Sequence, residues 1–132
     1  MTRAELNALV IVTAPFADDT YARPTLAWLQ GPFWESFRED RWAKVGRYTR
    51  KNDCDNWARA YAQHAQDCHA VSNGNDDDAV AVGEFFYTRA SGASHAIAVA
   101  ITEHGVTFLE PQTGAVLPLN PAEIATCTFA RF

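Results

Sequence analysis

Basic charge is scarce in this chain: 11 Lys and Arg stand against 16 Asp and Glu, for a net charge of −5. That shortage argues against wholesale binding to nucleic acid or an anionic membrane, which needs a basic footprint. No stretch approaches the length of a membrane-spanning helix. The first residues, MTRAELNALVIVTAPF, hold one early Arg, an early Glu and no clear small-residue cleavage site, so no secretory leader is expected. Cysteines number three, an odd count that leaves at least one unpaired within the chain. No CxxC pair and no internal repeat occur. Free thiols in a reducing, cytoplasmic setting are the expectation.

What is present suits one domain over residues 1–132. The chain is 48% hydrophobic and 20% charged, enough to bury a core without staples. PTLAWLQGPFWESFRED, residues 24–40, carries Trp28, Phe33, Trp34 and Phe37 and is broken by Gly31 and Pro32. It predicts two short helices whose aromatics enter the core or wall a substrate groove. In NDCDNWARAYAQHAQDCHA, residues 52–70, apolar positions 54, 57, 58, 61, 65 and 68 recur at helical spacing. Arg59, Gln63, Gln66 and Asp67 take the opposite side, and Asn52 or Asp53 is the N-cap. On that helix Cys54 and Cys68 lie about 21 Å apart and cannot bridge.

SNGNDDDA, residues 72–79, reads as an exposed acidic loop without the regular ligand spacing of a calcium loop. Beyond it the period shortens. Segments 79–90, 95–102, 106–110, 115–119 and 127–132 are rich in β-formers, with turns at Ser91-Gly92, His104-Gly105 and Thr113-Gly114. Asn120-Pro121 opens one helical turn. Helices followed by an antiparallel meander predict an α+β fold.

Cys54 falls at the start of its helix, where the dipole and unpaired N–H groups favour an anion and so a thiolate. Cys68 and Cys127 read as small buried hydrophobes. A nucleophilic thiol needs a base. His64 and His69 sit down the same helix, and His104 sits in a turn. His95 opens an apolar strand, sharing a face with Ile97, Val99 and Ile101. Glu110 ends the next strand before Pro111 and would orient His95, with Gln112 the weaker alternative. A two-residue loop at His104-Gly105 sets His95 opposite Gly114, whereas a four-residue loop over 102–105 sets it opposite Gln112. Direct pairing with Glu110 needs a further shift or a bulge.

DCDNWARAY, SHAIAVAI and FLEPQTG thus stand in the order Cys, His, acid. Together they resemble the papain-like and transglutaminase-like cysteine hydrolase superfamily. CDNWA and EPQTG look most like the papain-like domain at the C-terminus of a mushroom agglutinin, a look shared by small bacterial and phage relatives. The resemblance spans residues 46–119. It implies a papain-like core, with Cys54 as nucleophile, His95 as base and Glu110 as orienter. Papain proper has a Gln six residues before its Cys; here that position is Tyr48, whose hydroxyl would serve the oxyanion. Gln112 and Trp57 are the further candidates for substrate contact. The agglutinin-type domain uses calcium, with acidic residues beside its cysteine. Asp55 matches and Asn56 does not, so no cofactor or metal is expected.

The function implied is a thiol protease or amidase that cleaves a peptide or protein substrate through a thioester. Cell-wall peptide amidases and endopeptidases share DCxxxxxxY and an HxxxV strand, and transglutaminase-type acyl transfer would use the same residues. A catalytically inactive protein-binding module on this fold is the rival from another class. A zinc site at His64 and Cys68 lacks two further ligands.

Overall fold

The computed structural model describes residues 1–10, 18–72 and 78–132. Four of the five helices among these residues precede the four strands of the main sheet, and the chain is an α+β fold. Helix α1, Arg3–Leu9, is closed by a capping box between Thr2 and Glu5. A short strand β1, Tyr21–Ala22, runs parallel to β2, Ala79–Val80. Gly31 and Pro32 divide the aromatic stretch as expected, into α2, Leu26–Gln30, and α3, Pro32–Val45. Pro32 fits the first turn because its missing N–H would have no helical partner there. At 14 residues, α3 is longer than the short helix expected. The long helix α4, Cys54–Ser72, follows.

Four strands form the main sheet: β3, Val82–Thr88; β4, Ser94–Thr102; β5, Gly105–Leu109; and β6, Phe129–Arg131. Their order is β5-β4-β3-β6 and every pairing is antiparallel. Two expectations are corrected. Residues 115–119 form no strand: only the Leu109–Val116 bridge joins them to the sheet, and Pro118 has no N–H to extend it. The last strand does not continue a meander beside β5 but returns to β3. Helix α5, Pro121–Ala125, capped by Asn120, makes that crossing. The Thr126 hydroxyl donates to the Thr88 carbonyl, 3.1 Å, and Thr128 N–H donates to the Phe86 carbonyl, 3.0 Å, fixing the landing.

Strand alternation gives the sheet two apolar faces. Val82, Ala98, Ala100 and Leu109 meet Trp57, Tyr61 and Ala65 of α4, with Leu29, Phe33 and Phe37 closing the layer. The two alanines leave room for a helix to lie close. On the other face Phe85, Tyr87, Ile97, Val99, Ile101 and Phe108 are covered by Leu6, Val10, Tyr21 and Phe132. After Ser94, every residue of β4 is buried.

Candidate active site

The β4–β5 register answers the question left open about Glu110. Thr102 pairs with Gly105 and Ala98 with Leu109, so the turn is Glu103-His104 and the register is that of the four-residue alternative. Counted on, Gln112 falls level with His95 and Glu110 falls level with Ile97, on the same face as His95. That diagonal is within reach of two long side chains. His95 Nε2 and Glu110 Oε2 are 2.8 Å apart, with side chains 7% and 13% exposed. No shift or bulge is required. Opposite a carboxylate, which only accepts, Nε2 is the nitrogen that carries hydrogen. The neutral ring then has its lone pair on Nδ1, which makes no hydrogen bond among the described residues. The Tyr87 ring stands edge-on at 6.0 Å between centroids.

Glu110 is itself held. Its Oε1 accepts the Gln112 N–H at 3.4 Å, so Gln112 acts on the carboxylate through its backbone. The Glu110 carbonyl accepts from Gly114 N–H at 2.8 Å and Thr113 N–H at 3.2 Å, while Glu110 N–H donates to the Ala115 carbonyl at 2.9 Å. From α3, Trp34 Nε1 donates to the Pro111 carbonyl at 3.3 Å. From α2, Gln30 Nε2 donates to the Gly114 carbonyl at 3.2 Å. Gly114 has φ +72°, and a Cβ there would lie 2.7 Å from the Trp34 ring. The aromatic helices therefore grip the turn that carries the acid. Sequence reasoning saw Trp34 as core or groove wall and Thr113-Gly114 as a turn; nothing in local pattern joins residues some eighty positions apart.

Cys54 is the first residue of α4 and is a free, half-buried thiol. Asp53 is the cap: its carbonyl accepts the Trp57 N–H at 3.0 Å, and its own N–H donates to Asn56 Oδ1 at 3.3 Å. The neighbouring Asp55 carboxyl pushes the Asp53 carboxyl up. Gln66 exchanges two hydrogen bonds with the Val80 backbone, 3.0 and 3.2 Å, although the sequence put it on the solvent side. Arg59 reaches Glu84. The helix thus runs opposite to β3, and Cys54 lies about 7.5 Å beyond Arg59 along it. That direction leads toward Tyr87, the pairing partner of His95. The helix start and His95 share one end of the sheet. Alternation turns His95 toward the face away from α4, one residue from the strand's beginning.

The remaining candidates are dispersed. Tyr48 is 47% exposed in the connection between α3 and α4. Trp57 is buried, edge-on to Phe37 at 5.8 Å and beneath the Arg41 guanidinium at 5.5 Å. This is a packing position. His64 Nε2 meets the Ser36 hydroxyl at 3.0 Å, His69 Nε2 meets the Asp78 carbonyl at 2.9 Å, and the His104 side chain is exposed beside Glu103. Burial pushes the Cys68 and Cys127 thiols up. Among the described residues, no group of three or more His, Cys, Asp or Glu side chains is arranged to hold a metal. Most of the acidic stretch, 73–77, lies outside the described residues.

No family model and no curated protein matches this chain. Solved structures do. It superposes on Polyporus squamosus lectin bound to the human-type influenza-binding epitope Neu5Aca2-6Galb1-4GlcNAc, with a TM-score of 0.73 and 20% identity, over 98% of this chain and 46% of that one. For the PSL1a-E64 complex the TM-score is 0.78 and the identity 19%, over 100% of this chain and 51% of the other. The fold is shared. The chain spans about half the length of the lectin chains it resembles.

Proposed function

We propose that the chain is a thiol hydrolase acting on an amide or peptide bond, with Cys54, His95 and Glu110 as its triad. The observation that carries this reading is the 2.8 Å contact between His95 and Glu110, which leaves Nδ1 as the basic nitrogen at the sheet end toward which α4 points its first residue. In the reaction, Cys54 Sγ attacks the carbonyl carbon while its proton passes to His95 Nδ1. The imidazolium, stabilised by Glu110, returns that proton to the leaving amine, and a thioester remains. Water, deprotonated by the same nitrogen, then releases the acid and the free thiol. The Cys54 N–H, one of the unpaired donors of the helix start, and the Tyr48 hydroxyl would serve the oxyanion. An amine replacing water would give acyl transfer from the same thioester. Peptide stems of a cell wall are a substrate class equal in chemistry to a protein, and a cytoplasmic peptidase is the setting that the free thiols favour.

A peptide carrying a thiol-directed electrophile, followed by mapping of the adduct, tests the assignment. Labelling confined to Cys54 and lost in His95→Ala is expected; labelling spread over Cys68 and Cys127, or indifferent to His95, would contradict it. A non-catalytic binding module is the second reading; an epitope-bound lectin shares the fold over 46% of its own chain. Under it Cys54→Ala leaves ligand binding intact and no substrate is turned over.

A further inference from the structure

In an acidic protein, three arginines converge on one cleft beside α4. Arg41, Asn56, Arg59, Gln63 and Arg131 line a cavity of about 360 Å³, and no acid lines it among the described residues. Arg59, Gln63 and Arg131 also line the adjoining cavity of about 400 Å³, whose wall includes the acids Glu84 and Asp18. Glu84 is 2% exposed, and its Oε2 has no hydrogen-bond partner. Arg131 stands 3.4 Å and Arg59 3.8 Å from this carboxylate, with side chains 55% and 60% exposed. Here two guanidiniums share one carboxylate loosely and stay more than half exposed. Arg41 adds a third positive charge, and its Nε is buried without a partner. Asn56 supplies an amide donor, while Gln63 Nε2 already donates to Asp67 Oδ1 at 2.9 Å. The cleft begins two residues from Cys54 and follows one side of α4.

We propose that this cleft is an anion site that takes the carboxylates of an acidic peptide, so that the hydrolase selects substrates with Asp or Glu near the cleaved bond. The choice of substrate rests on the hydrolase reading; the binding does not. Guanidinium forks match carboxylates two bonds at a time, which neutral amides of the same shape cannot reproduce.

The test is calorimetric titration of the Cys54→Ala protein with a capped oligoglutamate peptide, its glutamine isostere and inorganic phosphate. Saturable binding of the glutamate peptide is expected, weakening as salt is raised, with none for the isostere. Arg59→Gln and Arg131→Gln should each weaken it about tenfold, the loss of one modest charge-assisted contact. Glu84→Gln removes the competing charge and keeps the cleft, so affinity should hold or tighten; this variant decides the matter if Arg131→Gln fails to fold. Equal binding of the isostere, indifference to Arg59→Gln, or binding of phosphate without the peptide would overturn the proposal. Because the nucleophile is absent throughout, a failure of hydrolysis leaves this result standing, and the reverse holds too.

Discussion

Both carboxylate oxygens of Glu110 are occupied, one by His95 Nε2 and the other by the Gln112 N–H. If His95 is the base, Glu110→Gln keeps the shape and removes the charge that steadies the imidazolium. Turnover should fall by orders of magnitude, as it does for the equivalent change in a serine triad, with circular dichroism unchanged. Gln112→Ala retains the backbone N–H and should cost far less. A crippled Gln112→Ala beside an active Glu110→Gln would reverse the assignment. Tyr61 offers a different kind of test. Its ring lies edge-on to Phe33 and Phe37, while its hydroxyl is buried without a partner, and burial pushes that hydroxyl up. Tyr61→Phe removes an unsatisfied polar group, so thermal stability should hold or rise by about 1 kcal/mol; a clear loss would mean the hydroxyl has a partner. Burial also raises the Glu84 carboxyl, with Arg131 and Arg59 offsetting part of the effect. A raised acid contributes stability below its unfolded value near 4.5 that is lost as pH climbs through the folded value. Glu84→Gln should therefore match the wild type in melting temperature near pH 4 and surpass it at neutral pH. A constant difference across that window would contradict this.

The period of three to four in residues 54–68 and the Gly31-Pro32 break were enough to place α4, α2 and α3, because helix signals are local. The strands at 95–102 and 106–110 were legible for the same reason, in their alternation and their turns, whereas 79–90 divides into β2, paired with β1, and β3 of the main sheet. Residues 115–119 misled because a short apolar run looks alike in a strand and in a buried loop, and only pairing tells them apart. The return of β6 to β3 was hidden in α5, whose five residues set where the chain lands. For the candidate site, Cys54 and His95 were readable from position within their elements. The bond to Glu110 depended on a register that moving the turn by one residue changes. The grip of Trp34 and Gln30 on the acid's turn is a contact between distant elements and left no local trace. Gly114→Ala tests that grip: it meets both a positive φ and the Trp34 ring, and should lower stability by roughly 1–2 kcal/mol from the backbone alone. It should also displace Glu110, read as a moved His95 ring resonance by NMR. An unchanged His95 signal would mean the grip is structural only.

Seen entire, the chain places α4 across a sheet buried on both sides, with the helix start and the His95–Glu110 pair at one end and an arginine-lined cleft alongside. No helix among the described residues is long and apolar enough to cross a membrane. The same fold occupies about half of the Polyporus squamosus lectin chain, and a shared fold does not decide between binding and chemistry, whereas the behaviour of the thiol does. That behaviour is measured by alkylating the folded protein with iodoacetamide at neutral pH and following all three cysteines by peptide mass spectrometry. Cys54 should react at least about tenfold faster than Cys68 and Cys127, whose thiols burial holds in the protonated form, and should lose that advantage in His95→Ala. A Cys54 that reacts no faster than its neighbours, or that keeps its rate without His95, would contradict the account.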